Sequence, residues 1–158
     1  MGKIVSELVG ICDQLKTDGV INDYSYQEAG RANVELSKYE DPFIIIYCLT
    51  DREIDRRNGL LRENASVSIL FAKREKDIGF NGGEAEYLTD QVMEIAESFV
   101  SLLCQSTEVA ITDEQLRLRS VYDQYDTNIV GVVLQANIKE LKGHCLTTYE
   151  HNQEDQDQ

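Results

Sequence analysis

The sequence is short of histidine, basic residues and long apolar runs, and each shortage removes a class of function. Only two histidines occur, His144 and His151, at or inside the polar C-terminal end, where a general base is hard to hold in place. Fifteen Lys plus Arg stand against 29 Asp plus Glu, a formal net charge of −14. A chain this acidic is repelled by phosphate backbones, which argues against a duplex-wrapping binder. No apolar run approaches the roughly 18 residues a bilayer crossing needs; the longest lies around Pro42 to Leu49. The N-terminal stretch, with Glu7 and Asp13, reads as an amphipathic helix and not as a signal peptide, so a soluble, intracellular protein without membrane contact is expected.

Cysteine is sparse and scattered. Cys12, Cys48, Cys104 and Cys145 include no C-x-x-C pair, so neither a zinc knuckle nor a dithiol redox site is written here. Cys12, Cys48 and Cys104 sit inside apolar patterns and are expected to be small buried residues. Cys145 beside His144 is half a metal site at most, and neighbours on a strand point to opposite faces. The phosphate-loop, dinucleotide, zinc-protease and nucleophile-elbow signatures are all missing. Gly82-Gly83 precedes a helix as a phosphate cradle would, but two glutamates follow where Lys and Ser/Thr are needed. Asp113, Asp123 and Asp126 are the one carboxylate group that a hairpin end would gather around a divalent cation; turn chemistry explains such residues equally well. No cofactor and no metal are expected.

With 158 residues and 42% hydrophobic content the chain suits one domain that buries roughly 70% of its unfolded surface. Ile4, Leu8, Ile11 and Leu15, widened by Val5 and Cys12, form a helical stripe over residues 2 to 17, stopped by Asp18-Gly19. Ala32, Val34 and Leu36 alternate as in a half-buried strand, broken by Asp41-Pro42. Phe43 to Leu49 is continuous and β-branched, as in a strand covered on both faces. Residues 51 to 64 are too charged for core and are expected to form a long loop. Ala65 to Lys73 is the next strand, with Val67, Ile69 and Phe71 on one face. After the turn signal Asn81-Gly82-Gly83, Leu88, Val92, Ile95, Phe99 and Leu102 mark a helix from Glu84 to about Cys104.

Two alternating runs follow. In the first, Leu116, Leu118, Ser120 and Tyr122 face away from Arg117, Arg119 and Val121; in the second, Val130, Val132, Leu134, Ala136 and Ile138 share a face. A hairpin through Asp126-Thr127-Asn128 joins them economically. The expected fold is α+β: a mainly antiparallel β-sheet with two helices packed on one face, over residues 1 to 146. Residues 147 to 158, rich in Asp, Glu and Gln, are expected to be an acidic, flexible tail.

Basic residues cluster in one place. Arg52, Arg56, Arg57 and Arg62 fall within the charged segment 51 to 64, longer than a tight hairpin needs. A solvated mixed-charge loop is the bland reading. The functional one is an arm whose arginines meet the acidic surface of a neighbouring copy; such head-to-tail contacts close into rings.

The ordered motifs then fit a family. Pro42-Phe-Ile-Ile-Ile-Tyr, Arg57-Asn58-Gly59, the strand Ala65 to Ala72 and the helix Glu84 to Cys104 are followed by Arg119-Ser-Val-Tyr-Asp-Gln-Tyr-Asp126 and Asn128-Ile-Val-Gly-Val-Val-Leu-Gln135. This layout resembles the tail-terminator and tail-completion proteins of tailed bacteriophages, and the neck or connector proteins that share their fold, over about residues 3 to 141. The resemblance implies a non-enzymatic structural virion protein. It would form a homo-oligomeric ring at the head–tail junction or tail end, assembled in the host bacterial cytoplasm. Its neighbours would be tail-tube, connector or portal-complex proteins, and double-stranded DNA would pass through without specific binding. It also implies that Arg52, Arg56, Arg57 and Arg62 make inter-subunit contacts. The competing readings are an adaptor subunit of another large assembly, such as a contractile injection system, and a small carboxylate- or metal-dependent enzyme.

Overall fold

Apolar side chains at helical and at alternating spacing have to be buried together, and here they meet between two helices and one sheet. The computed structural model describes residues 2–26, 44–74, 82–122 and 129–145. In chain order the elements are α1 (Lys3–Thr17), β1 (Asp23–Tyr26), β2 (Ile44–Arg57), β3 (Leu60–Arg74), α2 (Gly82–Cys104), β4 (Val109–Ile111), β5 (Arg117–Tyr122), β6 (Ile129–Glu140) and β7 (His144–Cys145). The sheet runs β1-β2-β3-β6; β4 and β5 pair with different stretches of β6, and β7 pairs with β3. Every pairing is antiparallel except β1 with β2. Both helices touch β6 and each other, so they lie on one face of the sheet. The α+β architecture read from the sequence is the one observed.

The helix side of the sheet follows the register. Ala65, Val67, Ile69 and Phe71 of β3 stand opposite Ile138, Ala136, Leu134 and Val132 of β6, and all eight are buried. From above come Ile4, Leu8, Ile11, Cys12 and Leu15 of α1 and Val92, Ile95, Ala96, Phe99 and Leu103 of α2. The Phe71 and Phe99 rings meet edge to face, with centroids 5.5 Å apart. α1 ends where Asp18-Gly19 predicts, the Asp18 N–H donating to the Gln14 carbonyl at 2.9 Å.

Several expectations need correcting. The segment 51 to 64 is not a loop: β2 and β3 run through it as paired strands joined by the two-residue turn Asn58-Gly59. Both turn residues have positive φ, 53° and 73°, the backbone of a type I′ turn, which matches strand twist and suits an Asn-Gly pair. At the end of α2, Leu103 is fully buried and Leu102 only partly so. The alternation of β5 is as read, with Val121 buried on the face that Arg117 and Arg119 share. Gly82 is already helical. The short strands β1, β4 and β7 carry too few residues for period two to register. The strand expected at Ala32 to Leu36, the Asp126-Thr127-Asn128 turn, and the tail from residue 147 lie outside the described residues.

Cysteine placement was half right. Cys12 is fully buried, and desolvation, then the neighbouring Asp13 charge, pushes its thiol up to about 12. Cys104, expected inside, is exposed at the last turn of α2; the Cys48 and Cys145 side chains lie outside the described set. A maleimide pulse on the native protein should therefore label Cys104 and leave Cys12 unmodified until denaturant is added. Peptide mapping reads the result; native-state labelling of both at similar rates would mean that α1 detaches from the sheet.

Candidate interaction surface

The β2–β3 hairpin outruns the body. Beyond Asn64, toward the turn, its only described strand partner across β3 is the two-residue β7, which pairs with Leu60 and Leu61. Residues 51 to 64 thus form an arm, and a bulge at its root decides what the arm displays. Leu49 stands opposite Val67 and packs against the core, but the register shifts between Leu49 and Asp51. One additional residue, Thr50, reverses the phase of everything after it. Arg52, Ile54 and Arg56 therefore share the helix side with Glu63, while Asp51, Glu53, Asp55 and Arg57 take the opposite side with Arg62 and Asn64.

The four arginines consequently do not form one patch. On the helix side, Arg52 Nε donates to Glu63 Oε1 at 2.7 Å, and this bond, then the carboxylate charge, raises the guanidinium pKa. The N-terminus of α1 abuts the same pair: a Cβ on Gly2 would lie 3.2 Å from Glu63 Oε2 and 3.3 Å from an Arg52 nitrogen. Arg52 therefore braces the two strands of the hairpin against each other, beside the start of α1. Arg57, its side chain 83% exposed, reaches Asp55 at 3.2 Å from the other side. Arg56 and Arg62 are exposed and make no ion pair among the described residues. Ion pairs this exposed add little stability, so none of the four is needed to hold the fold.

The body-side root of the arm is more tightly specified. Glu140, the last residue of β6, is 1% exposed; its carboxylate accepts from the Glu63 N–H at 3.3 Å and lies 3.5 Å from His144 Nε2. Away from the helices an open groove of about 570 Å³ separates the arm from Thr112 and Lys139, floored by Asn64, Ser66 and Asn137. Asn137 is held there by Asp113, which accepts from its backbone N–H at 2.6 Å and from Nδ2 at 3.0 Å.

Asp113 is thereby a tether between the β4–β5 connection and β6. Asp123 and Asp126, its suggested partners in a cation site, lie outside the described residues, and no cluster of three or more metal-ligating side chains occurs among those described. The two bonds from Asn137 hold the Asp113 carboxyl below the usual aspartate range. A depressed folded-state pKa contributes stability above the ordinary value near 4, and that contribution is lost as pH falls through the lower folded value. Asp113→Ala should therefore cost about 1 kcal/mol at pH 7, discounted for exposure, and almost nothing near pH 2. Urea midpoints at the two pH values check this; an equal loss at both would remove the charge from the account.

Charge-dense strands hide this site from pattern reading. Ile54, 71% exposed in the middle of the arm, and Arg117 and Arg119, exposed on β5, were not singled out by sequence reasoning. The one local signal was the Asn58-Gly59 pair, which marks a hairpin tip and not a loop. None of the described helices is long and apolar enough to cross a membrane. Comparison with protein-family models and with curated proteins finds no match.

Proposed function

We propose that this chain is a non-enzymatic structural protein of a tailed bacteriophage. It acts as a ring of identical copies at the neck or the tail end, joining head to tail or terminating the tail tube. The supporting observation is the arm: a β-hairpin of exposed, charged residues built out from a well-packed α+β body and tied to it at the root by the buried Glu140, which accepts from the Glu63 N–H. A body that presents such a structure outward offers docking surface, and docking of copies is what a ring requires.

The acidity belongs to the same reading. A passage walled by a protein of net charge −14 does not hold the phosphate backbone, so double-stranded DNA slides through without sticking. Neighbours above and below the ring would be tail-tube, connector or portal-complex proteins. The test is deletion of the gene from its phage, followed by cryo-electron microscopy of the lysate. Unjoined heads and tails, or tails of unregulated length, are expected; intact infectious particles lacking the protein would overturn the reading, as would turnover of a small molecule by the purified chain.

A further inference from the structure

A sheet that is not closed has two edges, and here the two differ in a complementary way. Past Tyr47, where β1 stops, the outer side of β2 has no strand partner among the described residues; neither has the outer side of β5. On the face away from the helices, β2 sets out the acids Asp51, Glu53 and Asp55, about 7 Å apart along the strand. On that same face β5 sets out Arg117 and Arg119, exposed and in no ion pair among the described residues. On the helix side one apolar residue, Ile54 between Arg52 and Arg56, faces a mainly apolar groove. β2 carries Ile54, 71% exposed. Beside β5, Leu116 and Leu118 with Ala96 and Val100 of α2 line a groove of about 390 Å³.

The geometry points to a head-to-tail contact in which the β2 arm of one copy adds as a strand to the β5 edge of the next. Glu53 then stands opposite Arg119, Ile54 opposite Leu118 and Asp55 opposite Arg117. The direction follows from topology: β2, β3, β6 and β5 are successively antiparallel, so β5 runs against β2, and copies facing the same way meet as an antiparallel pair. This register satisfies both faces at once. It places two opposite-charge pairs on one side and seats Ile54 in the groove on the other, the cross-strand pairings that stabilise sheets.

Symmetric pairing is disfavoured by the same charges. Two β2 arms would set acids against acids, and two β5 edges arginine against arginine, and like charges directly opposite destabilise. Each copy therefore uses one edge and offers the other, so contacts propagate until they close. Within one chain Arg117 is level, through Gln135 and Ser68, with Cys48, whereas Asp55 is level with Arg62, six residues further along β3. Neighbouring copies are therefore offset by roughly 20 Å along the strands, which a ring accommodates by tilting the strands to its axis. The contact deepens the ring reading and rests on it only for what the contacts build.

Two experiments on the full-length chain test it. In a Cys104→Ser background, Ile54→Cys and Leu118→Cys variants are mixed and treated with a short bis-maleimide at high protein concentration. The mixture should give a covalent dimer more than tenfold above the background chain, the double variant a ladder, and each single variant alone nothing above background. Lack of the mixed dimer, or dimers from either single variant, overturns the contact. Independently, Glu53→Arg/Asp55→Arg and Arg117→Glu/Arg119→Glu should each weaken self-association about tenfold or more in sedimentation velocity. Mixing the two reversed chains should restore it, and unchanged association of either alone overturns the contact. Particle rings without the cross-link leave the function standing and remove this contact; a ladder from a protein absent from particles does the reverse.

Discussion

Phe99→Ala should lower the unfolding free energy by about 3–5 kcal/mol and the thermal midpoint by roughly 10 °C. Phe99 is 1% exposed, and its ring meets that of the fully buried Phe71 edge to face at 5.5 Å. It is the bulkiest buried side chain of α2, and its ring lies against the strand at the centre of the sheet. Truncation removes the transfer term of the ring, the aromatic contact, and whatever volume Ala96 and Leu103 cannot refill. Phe99→Leu keeps most of that volume and should cost about a third as much. Urea and thermal unfolding of the three proteins check the series. A loss below about 1 kcal/mol for the alanine variant would mean that helix and sheet are not packed as described.

Gly131→Val should destabilise by about 3 kcal/mol, although valine is the better strand former. Gly131 sits within β6, opposite Ala72 of β3 and Val121 of β5. A Cβ there would lie 2.7 Å from the Phe71 carbonyl oxygen and 3.1 Å from Leu70 Cδ1. The first of these atoms is backbone of the central strand, so relief requires moving the ladder itself. Gly131→Ala should cost less than Val and still carry the destabilising sign. Strand propensity alone predicts the opposite sign for both, which makes denaturant midpoints decisive: a stabilised valine variant would refute the close approach.

What the sequence disclosed depended on how strongly each segment had to hide from water. The stripes of α1 and α2 and the alternation of β6 were legible because one face of each is committed to the core; Val130, Val132, Leu134, Ala136 and Ile138 are all buried as read. The arm was misread for the converse reason. Neither of its faces is committed to the core, so hydrophobic alternation is missing and its charge density resembles that of a loop. The Asn58-Gly59 turn was the available clue. The edge residues Arg117 and Arg119 were placed on the right strand, but their meaning depends on Asp51, Glu53 and Asp55 sharing their face. That agreement exists only because Thr50 is inserted at the bulge. A one-residue phase change is invisible to composition and nearly so to periodicity.

β3 runs without interruption from the hairpin turn, past the Arg52–Glu63 pair, to Phe71 beneath α2. A push on the arm tip is carried along β3 itself, because one unbroken strand connects the tip to the buried core. The hairpin is thus a stiff lever, and torque applied to it by a neighbour is delivered straight into the centre of the body.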